Sequence, residues 1–463
     1  MASQTTDVVI VGGGIAGLAA AFHLTTKENK RVCLLEARGR LGGRIKSMKT
    51  EDGLTIDVGA LFIQGRGSLD NPSPLSRLLT EFNLKTQALD PLQAECFDTE
   101  GNAISWQDLY QSLVPGFEAT NMRIQEAKRV IYEVPPTLSE VLFYNEDNIP
   151  APDSKDYWIR KLVTASIMQQ TGAKLNQISL LEFMSEERSF GPNEWIVGGA
   201  QQLIDILHKE AMRTGNLSVH LDTPASAILH DPHEQVCSVL TPAGEHFDCA
   251  AVISAVPLNV IKAGNIKFIP ELSKEKQHAL KHHHMGHHNI VLLKFDKVFW
   301  KKDAHFIYPN DPSIQHFPEY VNLFALMDNK TPLLMAHFYA DTARFGKESD
   351  ETILKKALAP LKKIYPDFEP PLSHHITRWD TSPHTLGSKS FCATGSTSDD
   401  LEYISAPEAG GLYFANEYTN PSLHGTVEGA YESGLLAALQ IAVYLKHQQR
   451  LKEASFRPRH GLT

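Results

Sequence analysis

Apolar residues occur along the chain in short runs separated by stretches with a helical pattern. Val8 to Val11 is a continuous apolar run of strand length, and Ala19 to Leu24 predicts a helix shortly after it. Asn289 to Phe295 is mostly apolar and β-branched and follows a glycine, which predicts another buried strand. Strands that alternate with helices in this way indicate an α/β fold.

The pattern predicts further elements in the middle of the chain. Helices are predicted at LSRLLTEF, DYWIRKLVTASIMQQ and SDETILKKALAPLKKIY. The stretch VPPTLSE is predicted to start another helix. Strands are predicted at NIVLLKF, FPEYVNLFAL and TPLLMAHFY.

Composition narrows the class of protein. A chain of 463 residues is too long to fold around one ordinary hydrophobic core, which indicates two or three domains. A hydrophobic content of 42% is that of a soluble globular protein, and a net charge of −10 argues against a nucleic-acid partner. The five cysteines are scattered without a CxxC pair, which fits a reducing compartment. With no signal peptide and no apolar run of membrane length, we expect a cytoplasmic protein without a transmembrane segment.

The most informative motif follows the first predicted strand. Gly12, Gly14 and Gly17 form GxGxxG between that strand and the first helix. In a dinucleotide-binding turn, the first glycine permits the tight bend, the second lets the backbone approach a pyrophosphate, and the third allows close helix–strand packing. Glu36 ends the next predicted strand, RVCLLEA, about twenty residues later, where a carboxylate accepts hydrogen bonds from a ribose. These residues predict a dinucleotide site.

The residues after Glu36 select the dinucleotide. The stretch ARGRLGGR contains Arg38, Gly43 and Arg44, and an arginine there is suited to neutralise phosphate. With the glycine motif, it resembles EAR-x-R-x-GGR of the flavin-containing amine oxidase superfamily. That superfamily comprises monoamine oxidases, polyamine oxidases, histone-lysine demethylases and L-amino-acid oxidases. The resemblance implies FAD rather than NAD.

The resemblance covers nearly the whole chain. Its other segments, in family order, are DVGALFIQG, EWIVGGAQQLIDIL, LDTPASAIL, DCAAVISAVPLNVI, RWDTSPHTLGSKSF and GGLYFANEYTNPSLHGTVEGAYESGLLAALQIAVYL. The residues that these motifs and the glycine motif imply for FAD binding are Gly12, Gly14, Ile15, Ala16, Gly17, Glu36, Ala37, Arg38, Gly43, Arg44, Leu61, Phe62, Ala225, Trp379, Glu417, Thr426 and Val427.

The interleaving of these segments implies a discontinuous architecture. A Rossmann-like FAD-binding domain is expected from 1–80, 195–260 and 376–448. An interleaved α+β substrate domain is expected from 81–194 and 261–375, and 449–463 forms a basic tail. This is the amine oxidase fold.

The chain departs from the family at the positions that face the flavin. The family lysine that reaches the flavin through a water aligns with Ile290, which can neither carry charge nor donate a hydrogen bond. Lys389 and Thr426 align with the two walls of the family's aromatic cage, and Gln64 replaces a histidine. Either Lys389 has an electrostatic or anion-binding role near the flavin, or it points to solvent. Ser388 aligns with the cysteine that attaches FAD in monoamine oxidases, so non-covalent FAD is expected.

The histidine-rich stretch KHHHMGHH, from Lys281 to His288, raises the question of a metal. Its spacing matches no standard site, and it lacks a clear carboxylate or cysteine partner, so no metal is predicted. A solvated helix end that leads into the next strand is the preferred interpretation. By alternation along that strand, His288 shares a face with Ile290 and is a candidate to approach the active site.

These observations predict an FAD-dependent oxidoreductase. The reaction that the resemblance implies is oxidation of an amine C–N bond to an imine, with O2 as acceptor and H2O2 as product. Gln64, Lys389, Thr426 and Ile290 are the predicted catalytic or substrate-facing residues. Two alternatives stay open: an L-amino-acid or other carboxylate substrate bound by Lys389, with O2 or another acceptor, and an FAD-binding scaffold without turnover.

Overall fold

A five-stranded parallel sheet carries the glycine motif at one of its edges. The structure, a computed structural model, describes residues 6–64, 72–143, 150–183, 193–232, 236–313, 318–327 and 330–455. The strands of that part of the chain are β1 (Val8–Val11), β2 (Val32–Leu35), β3 (Ser47–Lys49), β4 (Thr55–Asp57), β5 (Ile63–Gln64), β6 (Thr86–Ala88), β7 (Ala94–Phe97), β8 (Ala103–Ile104), β9 (Asn193–Ile196), β10 (Leu217–His220), β11 (Ala227–Asp231), β12 (Val236–Leu240), β13 (His246–Cys249), β14 (Ala251–Ser254), β15 (Lys267–Ile269), β16 (His283–Gly286), β17 (His288–Lys294), β18 (Phe306–Tyr308), β19 (Glu319–Asn322), β20 (Leu333–Tyr339), β21 (Ser373–Ile376), β22 (Lys389–Cys392) and β23 (Leu412–Phe414). The α-helices are α1 (Ile15–Thr26), α2 (Pro74–Glu81), α3 (Trp106–Lys128), α4 (Leu138–Phe143), α5 (Lys155–Thr171), α6 (Gln201–Arg213), α7 (Leu258–Lys262), α8 (Lys274–His282), α9 (Leu323–Leu326), α10 (Asp350–Ile364), α11 (Ser398–Ser405) and α12 (Val427–Ser455).

The parallel sheet has the strand order β10-β2-β1-β14-β23. Its central strands are apolar throughout because a parallel sheet is covered on both faces. Along β1, Val8 and Ile10 pack into one core, with α1, α6 and α12, while Val9 and Val11 pack into another, with β11, β12 and α8. The sheet therefore lies between two layers, and the turn after β1 stands at its carboxyl edge, where α/β sheets bind ligands.

A seven-stranded mixed sheet, ordered β21-β17-β20-β19-β18-β7-β8, forms the second large body. Its register places Ile290 of β17 opposite His337 of β20, and His337 opposite Glu319 of β19. Residues opposite one another in antiparallel strands point to the same face of the sheet. The side chains of Ile290, His337 and Glu319 therefore belong to one face. The two sheets and their covering helices confirm the α/β fold class.

The structure contains the predicted helices and strands, except that the end of one predicted strand is a helix. The strand predicted at FPEYVNLFAL is shorter than expected, because β19 ends at Asn322 and the helix α9 follows it directly. The strands of the parallel sheet come from the three segments expected to bind FAD. Those of the mixed sheet come from the two insertions, apart from Ile376 at the end of β21. The division into domains and a tail stays a prediction, and α12 continues through 449 to Ser455.

The histidine-rich stretch contains the helix end that we expected, but only part of it is solvated. Helix α8 ends at His282 and β16 begins at His283; Lys281 and His284 are exposed, whereas the side chain of His283 is fully buried. His283 is buried because β16 pairs with β22, more than a hundred residues farther along the chain. Elsewhere, none of the helices in the described residues combines the length and the apolar character needed to cross a membrane.

Candidate active site

The turn between β1 and α1 is built so that only glycine fits at two of its positions. Gly12 has φ +111°, and a Cβ there would lie 2.7 Å from the carbonyl oxygen of Ala255. A Cβ on Gly17 would lie 2.0 Å from the carbonyl oxygen of Gly12. The chain therefore bends tightly at Gly12, and α1 packs directly on the turn at Gly17, as the motif requires.

The first turn of α1 is open to an anion. Gly14 is its N-cap and supplies no side-chain cap, and the first turn has no acidic residue. A Cβ on Gly14 would meet nothing within 4 Å, so there is free space in front of this backbone. Unpaired N–H groups at a helix N-terminus favour phosphate.

Glu36 organises the same turn. Its Oε2 accepts a hydrogen bond from the N–H of Gly13 at 2.7 Å, and its Oε1 accepts one from the N–H of Arg38 at 2.9 Å. The side chain is 7% exposed and borders the cavity described below. The carboxylate thus positions the glycine turn while it faces the space in which a ribose would lie.

Arg44 and Glu417 form a buried ion pair across the fold. Arg44 Nη1 donates to Oε1 of Glu417 at 2.7 Å, and Nη2 donates to Oε2 of the same carboxylate. Nη2 also donates to Oδ1 of Asn416 at 2.6 Å, and Nη1 to the carbonyl of Ser388 at 3.0 Å. Burial alone would raise the pKa of Glu417, but the charge and hydrogen bonds of Arg44 hold it below its ordinary value. This pair joins the loop after β2 to β22 and to the segment after β23.

A cavity of about 1050 Å³, partly open to solvent, runs from the glycine turn to the mixed sheet. Its wall contains most of the residues predicted for the site: Gly12, Gly14, Ile15, Ala16, Glu36, Arg38, Gly43, Arg44, Ile290, Trp379, Lys389, Glu417, Thr426 and Val427. Residues separated by more than 400 positions thus meet around one space. The lining residues come from the glycine turn, the loop after β2, β17 of the mixed sheet and the start of α12.

The end of the cavity beside the mixed sheet is called the inner end here. It is lined by His288, Ile290 and Lys389. The N–H of His288 donates to Oγ of Ser388 at 3.0 Å, which ties β17 to the residue before Lys389. Lys389 is partly buried and borders the cavity, and its Nζ donates to the carbonyl oxygen of Gln169 at 2.8 Å. Lys389 therefore does not point to the outer surface, and it shares a site with Ile290.

A buried acid stands next to Lys389. Oε1 of Glu319 accepts hydrogen bonds from the hydroxyl of Tyr339 at 2.9 Å and from Nε2 of Gln169 at 3.3 Å. Burial raises the pKa of Glu319 to about 7, although these hydrogen bonds and the charge of Lys389 act in the opposite direction. Burial also lowers the pKa of Lys389 to about 8, against the opposing charges of Glu319 and Glu428.

The two histidines beside this group are neutral. Nε2 of His288 lies 2.9 Å from Nδ1 of His337, so one ring donates to the other. Burial, aided by the charge of Lys389, lowers the pKa of His337 to about 3. Burial and the charges of His337 and Lys389 likewise hold the pKa of His288 well below its ordinary value.

The N-terminus of α12 completes the inner end. Thr426 is the cap of this helix: its Oγ1 accepts from the N–H of Gly429 at 2.9 Å and donates to the carbonyl of Leu423 at 2.7 Å. Thr426 thus borders the cavity while its hydroxyl serves the backbone. Glu428, one residue into the first turn, is fully buried, and burial raises its pKa to about 8.

Five predicted residues have side chains outside the cavity wall. Leu61 is buried against Trp195, and Phe62 packs on the same tryptophan with ring centroids 6.3 Å apart. Their neighbours Val58, Gly59 and Ala60 border the cavity instead. Ala225 packs against the core below β11, and Ala37 and Gln64 do not border the cavity. Backbone contacts of these residues with FAD stay a prediction.

Sequence reasoning missed the acids at the inner end. Glu319 lies in FPEYVNLFAL, where only strand propensity was noticed, and Glu428 lies within the last helix motif. A charged residue in an otherwise apolar strand was the available signal. Asn416 lies in the last family segment and was not singled out, yet its Nδ2 donates to the carbonyl of Ala255 at 3.0 Å beside the glycine turn.

The arrangement fits FAD on grounds of its own. The open helix N-terminus suits a pyrophosphate, Glu36 suits a ribose, and Trp379 and Ile290 provide apolar wall at the inner end. Trp379 is fixed there because its Nε1 donates to the carbonyl of Val58 at 3.1 Å. No cysteine borders the cavity among the described residues, in keeping with a cofactor that is not attached through a thioether.

Comparison with known proteins agrees with this assignment. The model of the family described as flavin containing amine oxidoreductase matches residues 15–442. Polyamine oxidase 5 of Oryza sativa subsp. japonica is 28% identical over 451 residues, covering 96% of this chain and 89% of that protein. Polyamine oxidase 2 of Arabidopsis thaliana is 28% identical over 463 residues, covering 95% and 88%.

More distant relatives share the fold. Lysine-specific histone demethylase 2 of Homo sapiens is 26% identical over 457 residues, which cover 95% of this chain and 53% of that protein. The structure of a wild-type putrescine oxidase bound to putrescine superposes with a TM-score of 0.76 at 19% identity, covering 95% of this chain and 99% of that one. This likeness confirms the fold. The chain belongs to the flavin-containing amine oxidoreductase family, with FAD as its cofactor.

Proposed function

We propose that the protein oxidises the C–N bond of a small aliphatic amine to an imine and uses dioxygen as electron acceptor, with hydrogen peroxide as product. FAD supplies the two-electron chemistry. The chain's own residues bind the amine, control its protonation and keep water from the inner end of the cavity. The relatives named as polyamine oxidases support an amine as the substrate class.

The observation that carries the proposal is the charge balance at the inner end. Glu319 and Glu428 lie close enough to Lys389 to influence its pKa, and the two histidines are neutral. The pKa values of Glu319, Glu428 and Lys389 all lie between about 7 and about 8, so the two acids are partly protonated near neutral pH. A cationic substrate beside them favours their ionisation, whereas an anionic substrate opposes it.

The same balance argues against a carboxylate substrate. An amino acid bound through Lys389 would bring a further negative charge beside Glu319 and Glu428, where burial already disfavours both carboxylates. Lys389 alone would have favoured an anion, and that was the reason to consider this alternative. With its acidic neighbours included, the site is better suited to amines.

Lys389 is suited to proton transfer. An amine arrives mainly as an ammonium ion and must lose a proton before its C–N bond is oxidised. With a pKa of about 8, Nζ of Lys389 exchanges protons near neutral pH, as a general base requires. In its neutral form it takes the proton of the bound ammonium, and the adjacent carboxylates stabilise the charge it acquires.

The experiment is anaerobic mixing of the FAD-bound protein with polyamines, aryl amines, L-amino acids and peptidyl lysines, followed by air. Loss of flavin absorbance with amines, and its return in air with formation of peroxide, is the expected result. Reduction by amino acids alone would overturn the proposal. Reduction by amines without return in air would replace dioxygen by another acceptor. No reduction by any of these compounds, while dithionite still reduces the flavin, would favour a scaffold without turnover.

A further inference from the structure

His283, the first residue after α8, lies close to two residues that are distant in the sequence. His283 stands opposite Cys392 in the register of β16 and β22, and His424 lies in the turn before α12. Nε2 of His283 is 3.7 Å from Sγ of Cys392, and Nδ1 of His424 is 3.9 Å from the same sulfur. The three atoms lie within 4.8 Å of one another.

These separations are close to those around one metal ion. Tetrahedral zinc has bonds of about 2.3 Å to sulfur and about 2.0 to 2.1 Å to imidazole nitrogen, so neighbouring ligand atoms lie roughly 3.3 to 3.6 Å apart. The separations of 3.7 and 3.9 Å exceed this by a few tenths of an ångström. Small side-chain rotations would close that difference without a change in the backbone.

The hydrogen bonding of the two histidines also suits a metal. Nδ1 of His283 lies 2.8 Å from the carbonyl oxygen of Ala279, and donation there leaves the lone pair of Nε2 towards the sulfur. A hydrogen bond from the second ring nitrogen to a backbone carbonyl is usual for metal-bound histidines. Nε2 of His424 is buried without a hydrogen-bond partner in the described residues, so its ring makes its polar contact through Nδ1.

We propose that His283, Cys392 and His424 bind one Zn²⁺ ion. Cys392 coordinates as the thiolate and releases its proton to solvent, and the two imidazoles bind in their neutral forms. The ion would link β16 and β22 to the turn before α12. Its ligand Cys392 is three residues from Lys389 along β22. The site is separate from the proposed amine oxidation and does not depend on it.

A second group nearby provides a matched control. His278, His282 and Asp400 also bring three possible ligand atoms within 4.8 Å. The His278 side chain is 56% exposed, and its Nδ1 already lies 2.9 Å from Oδ1 of Asp400 in an ordinary hydrogen bond. This group contains no sulfur, so a zinc ion bound there would differ in its ligand atoms from one bound at Cys392.

The test uses the FAD-bound protein, treated with a chelator, exposed to Zn²⁺ and desalted. We expect one zinc per chain by elemental analysis and, by X-ray absorption, a first shell with one sulfur and two imidazole nitrogens. Cys392→Ser and His424→Gln should each weaken zinc retention at least ~10-fold. His278→Gln should retain it. The flavin content of each variant checks that it is folded.

Three results would overturn the proposal: wild-type protein that retains no zinc, a first shell of nitrogen and oxygen alone, or zinc lost from His278→Gln but kept by Cys392→Ser. The X-ray absorption measurement needs only the wild-type chain, so it decides the matter even where a variant does not fold.

Discussion

Replacing Glu428 with glutamine is expected to stabilise the protein, and to do so more strongly as the pH rises. The side chain is fully buried. Burial raises its pKa from an ordinary 4.5 to about 8, and the backbone N–H groups of Glu428 and Gln64 offset this effect only in part. A buried carboxylate destabilises the folded state whenever it must ionise.

The sign and size follow from that pKa. Because the folded-state pKa is higher than the unfolded one, the penalty is absent below pH 4.5, grows as the pH rises to about 8, and is constant above that. At ~1.36 kcal/mol per pH unit, the penalty amounts to about 1 kcal/mol at pH 5, about 3 at pH 7 and about 5 at pH 9. Glutamine is neutral at every pH, so the variant avoids the pH-dependent part of this penalty.

The assay is urea-induced unfolding at pH 5, 7 and 9, at one fixed excess of FAD so that cofactor binding contributes equally. Glu402→Gln, on the exposed side of α11, is the matched control and should follow the wild-type profile. A stability difference between Glu428→Gln and wild type that stayed flat from pH 5 to pH 9 would refute the reasoning. The same variant should bind amines more weakly, since it removes one of the two carboxylates near Lys389, so stability and function would move in opposite directions.

Three further predictions concern the cofactor and Lys389. In anaerobic stopped flow, Lys389→Met should slow flavin reduction by amines at least ~10-fold, and the rate of reduction should lose its pH dependence near pH 8. Unchanged flavin reduction, flavin reoxidation and ligand affinity would exclude a role for this lysine. Gly17→Ala should lose FAD, because its Cβ would lie 2.0 Å from a carbonyl oxygen. Gly14→Ala should fold but bind FAD more weakly, because its Cβ would meet nothing within 4 Å of the protein. The ratio of flavin to protein absorbance measures both effects. Acid precipitation should release the flavin into the supernatant, since Ser388 occupies the thioether position; flavin that stays with the pellet would contradict this.

The sequence predicted the dinucleotide end of the cavity because that end depends on local relations. Gly12, Gly17 and Glu36 lie within one strand–turn–helix–strand unit, and each requirement, a positive φ, a close approach or a carboxylate at a strand end, acts on a single residue. Spacing along the chain is then almost the same information as position in space. The family resemblance supplied the more distant partner Glu417, which the structure places on Arg44.

The inner end could not be predicted in the same way. Glu319 reaches Lys389 only through the register of β19 on β20 and through Gln169 of α5, and neither follows from local pattern. His283 and Cys392 are 109 residues apart, and the pairing of β16 with β22 brings them together. A polar residue in an apolar strand signals a buried polar group, but the identity of its partner is a property of the tertiary fold.

The structure gives a physical reason for isoleucine at position 290. His288 and Lys389 border the same end of the cavity as Ile290, and His337 stands directly opposite it on β20. A lysine at 290 would place a second ammonium in a buried site that already holds the one of Lys389, and like charges in low dielectric disfavour each other. Glu319 and Glu428 are already needed to keep Lys389 charged, so they could not fully neutralise both. We therefore propose that an apolar residue at 290 and a lysine at 389 belong to one arrangement, in which the lysine of β22 takes the place of the family lysine on β17.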